Sequence, residues 1–584
     1  MIYAVDPRQN RLFDPFEGVI PPAGHKIIAN GWQAIFRHVL LELMPVGDLA
    51  KHFSNSLGAP TKELYSMAGL VFLADFFDWS PQEAVVAYIF HSDVQYALNT
   101  EPGVTLCTRT IERYQQLFRD NDLAARVFDK VTTRLIEALE LDVSRQRLDS
   151  THVFSHMATF GRTKLMAIAI KRFLTQLQRH DSDAYAALPD DFRQRYAPAQ
   201  ARLFAGAKDA DTRTRYRQQA ADDLHFLITR FADRPDHTSR STYKALITIF
   251  DQQCELSGEK VVVKAKTGGD CVQNPSDLDA TYDGHKGPGY QMQLAETCVP
   301  GNAVQLITGA LPQTACEPDA GAVVPMLDQL EQAARLPGEM LADTLYTGDE
   351  NVEAAAARGV DLVGPVPGRA PESDPEALSV DDFAWDERTG MIDACPAGHA
   401  PTSCSRDAAT ATTRFEMPAS ACSACPFRKR CPIQSTHNGK FTLDVSDKER
   451  RLAGRRVEES TAVFKERYAP RSGIESTNSG LKNRLGLGRL RVRGRGSVFR
   501  VLLHKVAGWN VLRAAASAKL RAWVKGQVAK TLKGSESGLI GRPFVPVFRL
   551  RDTFEVVPGG SSRRFPSFFG LTRRLSKIKR PMTS

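Results

Sequence analysis

The 584 residues are 42% hydrophobic and 24% charged, the balance of a globular chain long enough for roughly two to four domains and at least one large core. No basic start followed by an apolar run opens the sequence, and no uncharged apolar stretch of about 18 residues occurs, so neither a secretory signal nor a membrane span is expected and the protein is placed in the cytoplasm. The net charge of +9 is unevenly spread: residues 471–584 hold 25 basic and 4 acidic side chains, a net of +21, which leaves −12 on the first 470. A basic block of this kind points to a polyanion partner.

The first 148 residues read as short amphipathic helices. Residues 63–77 form one, and Ser80-Pro81-Gln-Glu starts the next with an N-cap serine and a proline at the first helical position. Residues 108–118 have the pattern of the second helix of a helix-turn-helix, although helical hairpins of this size are common without DNA. A strand is expected from Arg147, with Asp149 inside Arg-Leu-Asp-Ser-Thr-His152. Residues 162–255 read as long helices rich in Ala, Leu, Gln and Arg. Strand signals return at 290–297 and 303–308, separated by the turn residues Pro300-Gly301-Asn302. A helix over 324–334, a strand over 339–343, a helix over 350–357 stopped by Gly359 and a strand from Asp361 follow. Strands first in a hairpin and then alternating with helices predict an α/β fold, a mixed sheet covered by helices with its functional residues at strand ends.

Five of the ten cysteines fall between residues 395 and 431. In a reducing compartment such bunching argues for metal before disulfide, and zinc selects tetrahedral thiolate. Cys422 and Cys425 form a Cys-x2-Cys knuckle, and Cys431 with Cys395 completes four ligands for a structural zinc. His399 and Cys404 are further candidates, and the alternative is a set of reduced thiols in a loop. Cys107, Cys254, Cys271, Cys298 and Cys316 are scattered and read as small core residues.

Beyond the cysteines, Tyr468-Ala-Pro-Arg471-Ser-Gly-Ile-Glu475 runs on to Lys482, placing an aromatic hydroxyl, a cation, a carboxylate and a second cation at offsets 0, 3, 7 and 14. On an α-helix these fall within roughly 60° of arc, a face suited to a metal and a phosphate. The alternative is a solvated charged face. Pro470 and Gly473 place the helix start near Arg471, with Tyr468 before it. The arginine-glycine run that follows, with Arg489, Arg491 and Arg493, is able to track a phosphate backbone, the alternative being a basic loop without a ligand. The tail over 573–580 reads as a disordered electrostatic arm. Asp149 and Asp343 on strands and Glu475 on a helix are able to converge on two divalent cations, but spacing alone does not select three carboxylates from 67. Asp349 and Glu350 read as helix-start residues, and Asp277, Asp279 and Asp283 as members of a turn-rich loop.

Tyr468, Arg471, Glu475 and Lys482 match the Tyr-x2-Arg-x3-Glu-x6-Lys signature without a gap, Asp149-Ser-Thr and Leu341-Ala-Asp343 look like the two aspartate motifs, and Asn274-Pro-Ser-Asp277 with Gly289-Tyr290-Gln looks like the strands between. On these residues the chain resembles the DDE transposases of bacterial insertion sequences, in the branch with a cysteine-rich insertion before the glutamate. The resemblance implies an RNase H-like fold in which Asp149, Asp343 and Glu475 hold two Mg2+ or Mn2+ ions, water attacks the phosphodiester at the element's end, and the freed 3′ hydroxyl attacks target DNA. It implies that Tyr468, Arg471 and Lys482 contact phosphates, that the partner is double-stranded DNA, and that the protein works as a dimer on DNA, nucleoid-associated when bound. The expected division is an all-α DNA-binding domain over 1–140, the first part of the catalytic domain over 141–365 with a helical insertion near 162–255, a zinc-knuckle insertion over 366–445, the rest of the catalytic domain over 446–530 and a basic tail over 531–584. One departure is Asp343-Thr-Leu-Tyr346, where relatives carry Gly-Tyr directly after the aspartate, which puts the local turn in question. Two alternatives stand beside the transposase: a catalytically inactive, zinc-stabilised DNA-binding protein derived from one, and a stand-alone RNase H-like nuclease.

Overall fold

The computed structural model describes residues 2–8, 15–16, 18–156, 158, 160–197, 209–368, 377–386, 389–520, 522–523 and 526. The expected tail over 531–584 lies outside the described residues. At the centre is a mixed sheet of β1 (Arg145–Val153), β2 (Gly287–Thr297), β3 (Ile307–Thr314), β4 (Glu339–Leu341) and β5 (Asp361–Val363), in the order β3-β2-β1-β4-β5, with Thr281–Asp283 as a short addition to β2. The pairs β1/β2 and β2/β3 are antiparallel, and β1/β4 and β4/β5 are parallel. This mixed α/β arrangement is consistent with an RNase H-like fold.

Residues 289–297 of β2 are buried without a break, as a central strand covered on both faces requires. One face packs Leu148 and Ala295 against α6 (Val323–Gln332) and α7 (Asp349–Ala356). The other face places Met292 and Leu294 in a large core shared with the N-terminal helices. The strand expected at 303–308 begins only at Ile307, because Gln305 bonds Thr297 and Val299 O, both at 2.7 Å, and closes a loop there.

The N-terminal helices include α1 (Leu64–Phe76), capped by Glu63 accepting from the Tyr65 and Ser66 amides, and α2 (Leu123–Leu139). The helix at Pro81–Phe90 has the Ser80–Glu83 capping box. Their core is completed from far downstream by α11 (Arg495–Ala515), where Arg500 and His504 meet the buried Asp75 at 2.8 Å each. Residues 162–255 contain α3 (Arg162–His180), α4 (Ala210–Phe231) and α5 (Ser241–Gln253), packed on one another around Phe173, Phe231 and Tyr243. The cysteine segment folds as an antiparallel sheet of β6 (Ser403–Asp407), β7 (Thr412–Met417), β8 (Gln434–Ser435) and β9 (Phe441–Ser446), ordered β6-β7-β9-β8. Among the described residues no helix is long and apolar enough to cross a membrane.

His38, 3.4 Å from the Tyr96 hydroxyl, gives the N-terminal region an acid sensitivity. Burial, with repulsion from Arg37 adding to it, lowers its pKa from 6.5 to about 4. The folded form therefore favours the neutral ring, so its stability is full above 6.5 and is lost as pH falls from 6.5 towards 4. Linkage gives a loss of about 2 kcal/mol between pH 7 and pH 5. His38→Phe is expected to narrow the difference in thermal midpoint between those two pH values, and an unchanged difference would refute this.

Candidate active site

Directly opposed residues of an antiparallel pair share a face, so Arg147 faces Glu296 and Asp149 faces Leu294. This face receives α9 (Ala462–Tyr468), a 3₁₀ turn at Ala469–Gly473 and α10 (Ile474–Arg484). Docking rests on buried polar groups. Arg147 donates to Glu296 Oε2 at 2.9 and 2.6 Å and to Pro470 O at 2.7 Å, and the Thr477 hydroxyl donates to Glu296 Oε1 at 2.6 Å. A Cβ on Gly473 would collide with the Arg147 guanidinium, so only glycine lets that side chain reach the turn. Arg467, on α9, pairs with Glu339 and Asp361 at the ends of β4 and β5.

The docked segment brings three carboxylates towards one cation. Arg471 Nη2 donates to Asp149 Oδ1 at 3.0 Å and to Asp343 Oδ2 at 3.3 Å, while Nη1 lies 4.0 Å from Glu475 Oε1. The Asp149 and Arg471 side chains are each 15% exposed, Asp343 35% and Glu475 73%, so the site opens to solvent on the glutamate side. Asn478 donates to the second oxygen of Asp149 at 3.0 Å and to Ser150 O at 3.4 Å, so both Asp149 oxygens are held. Burial raises the Asp149 pKa; Arg471 opposes that, and the charges of Asp343 and Asp319 add to it.

Asp343 lies two residues past the end of β4. It accepts the Leu345 amide on Oδ1 at 2.9 Å, and its carbonyl accepts the Tyr346 amide at 3.1 Å. This turn frees Oδ2 for Arg471, and Tyr346 is buried behind the site, donating to Gln293 at 2.6 Å. The departure at Asp343-Thr-Leu-Tyr346 thus still yields a closed turn. Next to Asp149, Asp319 accepts from Gln293 at 2.8 Å and meets Lys286 and Ser150 at 3.3 Å each.

Residues 468–482 do not form one helical face. Pro470 has no amide proton to continue a helix, and the stretch divides among α9, the 3₁₀ turn and α10. Tyr468 ends α9 and stacks on Phe464 with centroids 5.7 Å apart, in a cluster with Cys298, Leu341 and Val363. Lys482 is exposed on α10. Its charge, with that of Lys286, adds to burial in lowering the His152 pKa, against the bond to Pro288 O. In the arginine-glycine run, Leu487 and Leu490 are buried while Arg489, Arg491 and Arg493 are exposed. Arg491 bonds Asp78 O at 2.7 Å and Glu83 at 3.0 Å, and the Gly494 and Arg495 amides are tied to Asp277 and Asp279. Those two aspartates of the turn-rich loop are anchors for the basic run. Asp349, at the start of α7, pairs with Arg451 of α8 (Asp447–Ser460) at 2.6 Å.

Cys395, Cys422, Cys425, Cys431 and His399 line one cavity of about 20 Å³, room for a single atom-sized occupant. Burial, followed by the neighbouring thiols, raises the Cys422 pKa; burial is also the largest cause for Cys431, against the Ile433 amide. Cys404 is exposed on β6 and does not line this cavity. Among the described residues no group of three or more His, Cys, Asp or Glu side chains is arranged to hold a metal ion. The donor chemistry nevertheless suits two kinds of cation. Hard carboxylate oxygens of Asp149, Asp343 and Glu475 already face one positive charge, and four cysteines stand among the residues that line the small cavity.

Residues 394–515 match the family model of a transposase DDE domain. The match spans the cysteine segment, Glu475 and α11, and supports a DDE-type transposase; Asp149 and Asp343 lie outside it. The cryo-EM structure of a piggyBac transposase synaptic complex with hairpin DNA aligns at 10% identity over 69% of this chain and 78% of that chain, with a TM-score of 0.18, a likeness too low to bear on fold or activity. No curated protein matches the sequence.

Asn478, Arg147, Glu296, Asp319 and Lys286 are the site residues that sequence reasoning did not single out. Two had local signals: Asn478 follows Glu475 by three positions on α10, and Arg147 precedes Asp149 by two on β1.

Proposed function

We propose that the chain is a DNA transposase that cleaves double-stranded DNA at the ends of a mobile element and joins the freed 3′ ends to target DNA by phosphoryl transfer. The observation that carries this reading is the convergence of Asp149, Asp343 and Glu475 on Arg471 from three separate elements. Two Mg2+ or Mn2+ ions, when bound by those carboxylates, supply activation of the attacking oxygen and stabilisation of the leaving one. The chain's own part is positional. Asn478 and the Asx turn fix the two aspartates, and Arg471 and Lys482 face the phosphates beside the cleaved bond, with Tyr468 at the rim. Arg489, Arg491 and Arg493 follow the backbone further out, and the helices of residues 1–140 bind the element's terminal repeats. Synapsis of two ends calls for a dimer on DNA, in the bacterial cytoplasm.

Purified protein is expected to cut DNA bearing the inverted repeats that flank its coding region, in the presence of Mg2+ or Mn2+. DNA that is bound with steep salt dependence yet left intact at every metal concentration would overturn the enzyme in favour of an inactive DNA-binding derivative. Cutting without preference for those ends would favour a general nuclease instead.

The second part of the proposal is one structural zinc per chain, held by Cys395, Cys422, Cys425 and Cys431. It is supported by the single cavity these thiols share. The protein is expected to contain about one zinc per chain by elemental analysis, as four thiolates bind a single tetrahedral ion. The Cys422→Ser, Cys425→Ser variant should lose it and loosen residues 395–446 locally. Undiminished zinc in that variant would refute the assignment.

A further inference from the structure

We infer that Arg471 is a built-in counter-cation of the carboxylate site: it competes with the divalent metal for Asp149 and Asp343, and is released to a DNA phosphate when the metal enters. This rests on the proposed reading of those carboxylates as metal ligands. A single guanidinium nitrogen, Nη2, is shared by Asp149 Oδ1 and Asp343 Oδ2 at 3.0 and 3.3 Å. A cation held by the same two carboxylates would need the space of that nitrogen, so the two occupancies would exclude each other. The third carboxylate, Glu475, is 4.0 Å from Nη1, so the arginine answers all three charges at once.

The remainder of the side chain gives it no other anchor. Its Nε is buried and has no hydrogen-bond partner among the described residues. Once the carboxylates are taken by a metal, the guanidinium is left with unmatched donors and the nearest compensation is an external anion. A phosphate accepts the same forked donation that a carboxylate does. The residue sits in the 3₁₀ turn at Ala469–Gly473, where its carbonyl accepts the Ile474 amide at the head of α10, so the release is a movement of the side chain and not of the backbone.

Two consequences follow. Metal affinity of the DNA-free protein is reduced by the fraction of molecules in which Arg471 fills the site. By reciprocity, a phosphate that draws Arg471 away raises metal affinity by the same factor as metal raises phosphate affinity. The site is thereby loaded fully only when metal and DNA are both present, which limits idle hydrolysis of other phosphodiesters.

The test is Mn2+ binding to the full-length, DNA-free chain, followed by electron paramagnetic resonance of the free ion. Arg471→Gln is expected to bind Mn2+ about 10-fold tighter than the parent, and an Asp149→Asn, Asp343→Asn variant to lose that binding. Equal or weaker Mn2+ binding by Arg471→Gln, with binding still dependent on the aspartates, overturns the competition but leaves the metal site standing. Mn2+ binding that ignores the aspartates overturns both. A second measurement needs no variant: an arginine-specific dicarbonyl reagent is applied to the parent protein and Arg471 modification is read by mass spectrometry. Saturating Mn2+ is expected to speed that modification severalfold, and an unchanged rate overturns the inference.

Discussion

Replacing Asp149 by asparagine is expected to lower cleavage of end-bearing DNA by at least about 10³-fold, equivalent to roughly 4 kcal/mol of transition-state stabilisation, while leaving DNA binding in place. The substitution is nearly isosteric, so β1 keeps its pairing with β2 and β4. What disappears is one negative charge at the point where Arg471 and Asn478 converge. An amide in that position offers a neutral oxygen at best, and a divalent cation that needs several hard anionic donors is no longer held. Asp319→Asn provides the comparison. Its carboxylate contacts Ser150, Lys286 and Gln293 rather than Arg471, so it is expected to cost far less. The measurement is single-turnover cleavage with DNA binding followed in parallel by fluorescence anisotropy. Cleavage by Asp149→Asn within tenfold of the parent would remove Asp149 from the site.

The second large effect is on stability. Glu296→Ala is expected to cost about 3–5 kcal/mol, because it leaves the Arg147 guanidinium buried without its partner. The Glu296 side chain is fully buried and that of Arg147 is 9% exposed, so water is not available to either as a substitute. Thr477 loses its acceptor in the same change, and with it α10 loses a bond that holds Glu475 near Asp149. Replacing the pair together, as Arg147→Met with Glu296→Leu, is expected to be milder than the single change, since no buried charge is then stranded. Urea unfolding gives the stability difference. Limited proteolysis around residues 469–473 reports whether the helix has come away from the sheet. A single variant that loses less than about 1 kcal/mol would show that the ion pair is not what docks α10.

Much of the sheet was legible because its strands have local signals. Residues 290–294 alternate apolar and polar side chains ahead of a Pro-Gly-Asn turn, and the α6, β4, α7, β5 succession follows helix and strand periods closely. The boundaries moved where side chains, not propensities, set them, as at Gln305. The candidate site was legible only in part. Asp149, Asp343 and Glu475 stood out through the spacing of a known motif, since as isolated carboxylates they look like the other 64 in the chain. Glu296 and Arg147 were not singled out, because nothing local tells that each is buried against a partner 149 residues away. The four-stranded sheet of the cysteine segment escaped notice as well: β7 and β9 alternate between more and less buried positions, but all five residues of the edge strand β6 are exposed and carry no alternation. The expected single helical face over 468–482 failed at Pro470, a signal that was present in the sequence and marked the break.

The closing of the N-terminal core by α11 governs how the protein comes off the ribosome. Asp75 meets Arg500 across 425 residues, and the faces of α1 and α2 that α11 covers stay open until that part of the chain is made. Such long-range pairing is slow to form and leaves sticky intermediates in the meantime. A nascent chain interrupted before residue 495 therefore keeps those surfaces bare and depends on chaperones or proteases, and one interrupted before residue 475 also lacks the third carboxylate. Complete synthesis is in this way a precondition for a finished fold, because the helix that closes the first core is among the last parts of the described chain to be made.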